Sequence, residues 1–296
     1  MKFLFILLFL CPVWCYASDV LPQEQGAGAS AAQSSSRTIP KSGQAANSGT
    51  KSTASLDPDA RKAREIVNQG IEALGGDEYL HMQNFEQQGR TYAFHHGRPS
   101  GEGALFWSFF DFPDKERVEY TQQRDVARVF LGDKGYEITY RGVHPVEETD
   151  MVDYRRQRRF ALDTVLRTWV NDPEVIFLYE GTAIAAQHAA EQVTLINEKN
   201  EAVTLDFDAQ SHLPVRKAFE WRDPVDRQKN LEEEVYENYR RVFDVMMPFN
   251  VTRFFNGDMS RERFLFTVTI NQALDQAMFD PNSGYNPNKS EKKAKR

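Results

Sequence analysis

The chain has 296 residues and a formal net charge of −7, and 41% of its residues are hydrophobic. This hydrophobic fraction is enough for a large domain with a sizeable core, whereas the negative charge argues against nucleic acid as a partner. Both cysteines, Cys11 and Cys15, fall near the amino terminus. The sequence that follows them therefore has no disulfide scaffold, thiolate metal site or cysteine nucleophile.

Residues 1–17 are predicted to be a secretory signal peptide. Lys2 precedes the apolar run 3–13, and the small residue Ala17 stands at the expected cleavage site. The run is shorter than the roughly 20 apolar residues of a membrane-spanning helix. Bulky Leu10 and Trp14 precede the two cysteines, where a lipoprotein signal has a small residue, so there is no convincing lipidation motif. We expect export across the inner membrane into the periplasm, with membrane anchoring left open.

Residues 18–56 are rich in Ser, Ala, Gly and Gln and show no apolar period, which predicts a disordered linker. Residues 282–296 are polar and end in a basic run, which predicts a disordered basic tail. A single folded domain is therefore expected for residues 57–281.

The domain is predicted to begin with an amphipathic helix. Asp57 is a suitable N-cap, and Pro58 suits the first helical position. Gly75 and Gly76 are typical of a helix end. Between these signals the apolar residues recur at helical spacing on one side: Ala63, Ile66, Val67, Gly70, Ile71 and Leu74.

Strand-like segments follow this helix. Segment 104–112 is apolar on both faces, so we expect an interior strand, and a ligand is one candidate for covering its second face. The predicted strands are residues 85–94, 104–112, 117–122, 125–131 and 136–141.

Residues 150–170 return to a helical period, and a break within this second helix is left open. Further strands are predicted at residues 175–179, 192–197, 203–207, 215–221, 231–242, 249–256 and 264–271. No helix alternates with them, which argues against a βαβ fold. We predict a mainly β (α+β) fold: a strongly curved antiparallel sheet that forms an incomplete β-barrel, with helices covering its concave side.

Motifs for catalysis are missing from the sequence. The histidines are scattered without zinc-ligand spacing, and there is no G-x-S-x-G turn or nucleotide-binding glycine loop. A carboxylate pair remains open as a hydrolase site, because its spacing exists only in three dimensions. We expect no enzyme activity, no metal and no cofactor.

Two charged runs are interpreted as solvated faces. Glu232, Glu233 and Glu234 form one of them. The other contains Arg155, Arg156, Arg158 and Arg159, for which contact with anionic lipid headgroups or an acidic partner is the alternative.

The aromatic content suggests a binding role. The chain has 21 Phe, 11 Tyr and 4 Trp, and the strands present more apolar surface than two helices can cover. This surplus predicts a hydrophobic cavity for an apolar ligand. The candidate lining residues are Leu105, Trp107, Phe109, Phe207, Phe219, Trp221, Phe254 and Phe266.

The order of several short motifs resembles the outer-membrane lipoprotein-sorting family of periplasmic lipoprotein carriers. Tyr136 stands where relatives often have Trp, and Asp244 where Gly is common, so no specific carrier residue is transferred. The matching motifs cover nearly all of the domain: Ala73-Leu74-Gly75-Gly76, Gly132-Asp133-Lys134-Gly135-Tyr136, Asp208 with Leu213-Pro214-Val215-Arg216, Tyr239 to Pro248, and Ile270-Asn271 with Leu274-Asp275 and Phe279-Asp280-Pro281.

This resemblance implies an incomplete barrel whose helices close a cavity for acyl chains. We therefore expect a monomeric envelope carrier for a lipid or an acylated lipoprotein, with a membrane surface or an envelope protein as further partners. The alternative is a non-enzymatic envelope sensor or scaffold on the same fold, which binds a protein partner. Fold likeness alone does not decide between the two.

Overall fold

The computed structural model describes residues 57–288. The predicted signal peptide, the predicted linker and residues 289–296 of the predicted tail lie outside this part of the chain. No helix within the described range is both long and apolar enough to cross a membrane.

The first predicted helix is confirmed. α1 (Pro58–Leu74) begins after Asp57, whose carboxylate caps the first turn, and it buries the predicted apolar stripe. Gly75 ends the helix with a φ of 130°. A Cβ at this position would lie 2.5 Å from the backbone oxygen of Asp244, so both the conformation and the space require glycine. A short helix, α2 (Asp77–Leu80), follows.

Seven strands come before the second helical segment and seven after it. The prediction missed β2 and β7, which are short partners in hairpins and carry no alternating apolar pattern. Within residues 57–288 the strands are β1 (Asn84–His95), β2 (Arg98–Pro99), β3 (Ala104–Asp111), β4 (Lys115–Tyr120), β5 (Val126–Leu131), β6 (Lys134–Thr139), β7 (Gly142–Pro145), β8 (Ile176–Ala185), β9 (His188–Ile196), β10 (Ala202–Asp208), β11 (Pro214–Arg222), β12 (Lys229–Val242), β13 (Val245–Phe255) and β14 (Asp258–Ile270).

The second helical segment is broken. It consists of α3 (Glu148–Arg159), α4 (Leu162–Arg167) and a 3₁₀ turn (Trp169–Asn171). Ala161 has extended backbone angles, φ −61° and ψ 142°, and so separates the two helices. We call residues 148–171 the cover.

The strands form one antiparallel sheet in the order β7-β6-β5-β4-β3-β1-β14-β13-β12-β11-β10-β9-β8, with β2 attached to β1. The edge strands β7 and β8 do not pair with each other, so the curved sheet does not close. The cover is the chain segment that connects these two edges. The predicted mainly β fold, an incomplete antiparallel barrel with helices on one side, is confirmed.

The sheet has an inner face, on which α1 and the cover lie, and an outer face. On the inner face, α1 packs against β8, β9, β10 and β13. The main hydrophobic core lies between these helices and the sheet, and it joins residues such as Val67, Leu166, Phe207, Phe219 and Leu265.

The outer face of β3 is covered by protein. Phe109 packs there against Met278 and Phe279, which belong to a C-terminal 3₁₀ turn. Arg117 of β4 donates a hydrogen bond of 2.8 Å to the Met278 carbonyl oxygen, and its guanidinium lies 4.9 Å from the ring of Tyr285. The second face of this strand therefore meets the chain's own C-terminal segment, and these contacts continue past the predicted domain boundary.

Candidate functional site

Some of the predicted lining residues lie on the inner face. Phe207 contacts α1, because a Cβ added at Gly70 would lie 2.2 Å from its Cε1 atom. Phe219 stacks on Phe160 of the cover with ring centroids 4.2 Å apart. Trp221 shares their side of the sheet, since alternate residues of a strand face the same way.

The other predicted lining residues lie on the outer face. Alternation along β3 places Leu105 and Trp107 beside Phe109, under the C-terminal segment. Phe254 pairs with the outward-facing Glu233, and Phe266 is 51% exposed. The predicted residues therefore do not line one surface.

Two features explain this division. Both faces of β3 are apolar, so its sequence does not reveal which side faces inward. Register shifts at Gln88/Gly89 and Arg253/Phe254 also reverse the alternation part-way along the strands. A ligand-binding role for Phe207, Phe219 and Trp221 stays a prediction.

The inner face under the cover carries a group of aromatic side chains that we call the aromatic floor. Phe110 and Phe130 are contacted from above by α3, and Phe106 is buried beside them. The floor consists of Phe106, Phe110, Phe130, Phe219 and Trp221.

α3 lies on this floor mainly through flat polar groups. The Arg156 guanidinium lies 3.6 Å from the Trp221 ring centroid, and the Arg158 guanidinium lies 4.3 Å from that of Phe110. The Tyr154 ring stacks on Phe130 at 3.7 Å. Such stacking shields an aromatic surface from water without placing aliphatic side chains on it.

Ion pairs fix α3 at several points. The Arg156 Nε donates to Glu232 of β12 at 3.1 Å, and Gln157 donates to the same carboxylate. Arg128 of β5 pairs with Asp150 at 3.1 Å. The arginine run is therefore not a plain solvated face, because these groups bind the helix to the sheet.

The rest of the cover is attached differently. α4 and the 3₁₀ turn bury Val165, Leu166, Trp169 and Val170 in the main core, whereas Met151 is the buried residue of α3. Burial of each large apolar side chain stabilises by roughly 1.5–3 kcal/mol. The Arg128–Asp150 pair is partly exposed, and such a pair contributes about 0–1 kcal/mol. The Arg156–Glu232 pair is largely buried, so the cost of removing its charges from water offsets much of their attraction. α3 is thus the weakly attached part of the cover, and α4 is its anchor.

A buried ion cluster lies on the inner face of β11, β12 and β13. The Lys217 Nζ is 2.8 Å from Glu234 Oε2, and the Arg253 Nη2 is 2.5 Å from Glu234 Oε1. Burial opposes ionisation of Glu234, but Lys217 and Arg253 outweigh it and hold the pKa of this carboxyl well below its usual range. The interpretation of Glu232 and Glu234 as solvated side chains is wrong.

Another carboxyl lies directly beneath α3. Burial raises the pKa of Glu116 on β4, although Arg158, Arg263 and a hydrogen bond with Tyr154 act in the opposite direction. Burial also raises the pKa of the Tyr154 phenol. The region between α3 and the floor therefore holds titratable groups that are partly withdrawn from water.

Sequence reasoning missed these inner-face charges, although a signal for them exists. Alternation along β12 places Glu232 and Glu234 on one face and Glu233 on the other, where Glu233 accepts a hydrogen bond of 2.8 Å from Arg216. The neighbouring strands carry Lys217 and Arg253 at the paired positions. Reading opposite charges across paired strands would have indicated the cluster.

The pockets that stand out within residues 57–288 lie beside α1 and not beneath the cover. The larger is an open groove of about 690 Å³, lined mostly by polar residues that include Arg61, Glu65 and His212. The floor itself is covered by side chains. Phe106, Phe110, Phe130 and Phe219 of the floor are buried, and a ligand cavity at this place stays a prediction.

Comparison with solved structures identifies the fold. A DUF1329 family protein from Desulfovibrio piger matches with a TM-score of 0.52 and 9% identity, covering 75% of this chain and 97% of that chain. A protein domain from Vibrio parahaemolyticus, described as outer membrane lipoprotein-sorting, matches with a TM-score of 0.50 and 12% identity, covering 75% and 98%. No family model matches the sequence, and no curated protein matches it. At this identity the likeness shows a shared fold, and at that level it confirms the predicted resemblance.

Proposed function

We propose that this protein, which has the fold of an outer membrane lipoprotein-sorting domain, is a non-enzymatic binding protein of the cell envelope. In this proposal it shields a lipid or a lipoprotein acyl chain on the aromatic floor after α3 moves away. The observation that carries the proposal is the polar attachment of α3 above an apolar surface.

The energetics favour exchange of α3 for a hydrocarbon chain. Release of α3 breaks a few ion pairs that together contribute a few kcal/mol, and water restores part of this by solvating the freed charges. An acyl chain contributes roughly 0.8 kcal/mol for each buried CH₂ group. A chain of about ten carbons therefore outweighs the cost of displacing α3.

The hinge for this movement lies between α3 and α4. Ala161 is the extended residue at this junction, and Phe160, which ends α3 beside it, stacks on Phe219. α4 stays in place through Val165 and Leu166, which are both fully buried. Opening displaces only α3 from the aromatic floor, so α4 and the sheet stay folded.

Quenching of tryptophan fluorescence by a fatty acid brominated near its chain end tests the proposal. Trp221 lies on the floor beneath Arg156, at 3.6 Å. Trp107 is a matched control, since it lies on the outer face beneath Arg124, at 5.2 Å. We expect quenching of the full chain that is largely lost in Trp221→Phe and kept in Trp107→Phe.

Glu232→Gln gives a kinetic version of this test, because it weakens the attachment of Arg156 and Gln157. A loss of about 1 kcal/mol should increase the rate of quenching roughly fivefold. Absence of quenching, or equal loss in the Trp221 and Trp107 variants, contradicts binding on the floor.

A second candidate is the protein-binding scaffold. β8 is an edge strand with no further partner strand within residues 57–288. Ile176 and Leu178 point outward from it and are 56% and 41% exposed. An unpaired apolar edge of this kind suits addition of an extended segment from another protein. This candidate gains support if the brominated fatty acid quenches neither Trp221 nor Trp169.

A further inference from the structure

Partly buried positive charge exceeds negative charge beside the aromatic floor. The Arg158 guanidinium donates two hydrogen bonds to the Asp163 carboxylate, from Nη2 to Oδ2 at 2.8 Å and from Nη1 to Oδ1 at 3.3 Å. Arg167 and Arg263 form no ion pair with any carboxylate within residues 57–288. Glu116 is the other nearby carboxyl, and burial raises its pKa and so disfavours its charged form.

Phe106, Phe110 and Phe112 form a row of phenylalanines, and Arg167 lies at its Phe112 end. Its guanidinium is 3.8 Å from the ring of Phe112, which in turn contacts Phe110 of the floor with centroids 4.7 Å apart. The Nη2 atom donates to the Met82 carbonyl oxygen at 2.9 Å. The Nη1 atom is shielded from solvent and has no hydrogen-bond partner within residues 57–288. A shielded donor of this kind, left unpaired, costs free energy.

Arg263 repeats this arrangement further along the row. Its guanidinium is 4.4 Å from the ring of Phe106. Burial lowers the pKa of Arg263, as it does that of Arg167, because neither charge is matched by a bound carboxylate. The row of phenylalanines is thus flanked by cations that an anion would stabilise.

We propose that the ligand of the floor is an amphiphile with an anionic head, a carboxylate or a phosphate, and that Arg167 binds this head through Nη1. The inference rests on the proposed function and adds the chemical class of the ligand. A planar guanidinium with a free donor suits oxygen anions of either type, and the resulting charge-assisted hydrogen bond is strong. Arg263 adds positive potential without contacting the head.

Displacement of a neutral fluorescent probe, N-phenyl-1-naphthylamine, from the full-length protein tests this inference. The competitors share one twelve-carbon chain: dodecanoate, dodecyl phosphate, dodecanol and dodecyltrimethylammonium. We expect one or both anionic compounds to displace the probe at concentrations at least about tenfold lower than dodecanol. A difference between dodecanoate and dodecyl phosphate identifies the head.

Arg167→Gln should reduce this preference to about threefold or less, and Arg167→Lys should give an intermediate value, because it keeps the charge and loses the planar fork. Arg155→Gln is the matched control, since Arg155 belongs to the cover but pairs with exposed Glu148 at 2.8 Å. Thermal unfolding of each variant shows whether it is folded.

The outcomes separate the two proposals. If no twelve-carbon compound displaces the probe, the proposed function fails. If dodecanol, the cationic compound and the anionic compounds displace it equally well, the function stands and the anionic head is wrong. If folded Arg167→Gln keeps the full anionic preference, Arg167 is not the binding group.

Discussion

Glu234→Gln is expected to destabilise the protein strongly. The substitution removes the negative charge that Lys217 contacts at 2.8 Å, and Lys217 is only 1% exposed. An ammonium left buried without its carboxylate costs about 3–5 kcal/mol. Urea unfolding at pH 7, followed by circular dichroism, should show a midpoint lower by about 1 M or more.

The adjacent Glu233→Gln is the matched control. Glu233 binds Arg216 on the outer face, where both side chains reach solvent, so its loss should cost at most about 1 kcal/mol. Equal midpoints for the two variants would refute the division of this strand into a buried charged face and a solvated one.

The contribution of Glu234 to the free energy of unfolding is expected to depend on pH. The folded-state pKa of Glu234 lies well below the ordinary value of 4.5, because Lys217 and Arg253 outweigh the effect of burial. Its stabilising contribution is therefore complete above about pH 4.5 and is lost as the pH falls toward the folded pKa. The difference between wild type and Glu234→Gln should shrink as the pH falls from 5 to 3. A difference that grows over this range contradicts the assignment.

Two further predictions concern α1 and the β10–β11 turn. Gly70→Ala should cost about 1–3 kcal/mol, because its Cβ would lie 2.2 Å from Phe207 Cε1; a melting temperature equal to that of the exposed neighbour variant Gln69→Ala contradicts this packing. Burial alone would raise the pKa of Asp208, but hydrogen bonds from Ser211, His188 and Gln210 lower it to about 2. A carboxyl titration by NMR should thus give a midpoint near 2, and the stability from Asp208 should disappear only as the pH falls through that value; a midpoint near 4 contradicts the hydrogen-bonded turn.

Much of the architecture was predictable from local sequence patterns. The cap at Asp57 and the apolar period of α1 determine a helix wherever it packs. Alternation and turn residues define β10, β11 and β12 within about two residues, because an antiparallel meander depends on short-range signals. The weakly patterned hairpin partners β2 and β7 were missed for the same reason. The predicted starts of β13 and β14, residues 249 and 264, lie later than the observed starts at Val245 and Asp258.

The site depended on information that local patterns do not carry. The side of the sheet that Trp107 or Trp221 faces is decided by strand register. A bulge such as the one at Arg253/Phe254, between β13 and β14, reverses the alternation along a strand. The arginines of α3 and the glutamates of β12 were each interpreted as solvated, because a single segment does not show which opposite charge lies across from it. Their pairing, Arg156 with Glu232, joins positions that are 76 residues apart.

The position of β1 in the sheet has a consequence for how the protein folds. β1 pairs with β14, so Asn84 and Gln272 hydrogen-bond across 188 positions of sequence, while nearly every other strand lies beside its neighbour in the chain. The sheet therefore consists of two halves, β1–β7 and β8–β14, in which strands pair mostly with their sequence neighbours. The two halves meet at the long-range β1–β14 pairing. Each half can form from its own hairpins. We expect the pairing of β1 with β14 to be the slow step in folding, because it closes the longest loop.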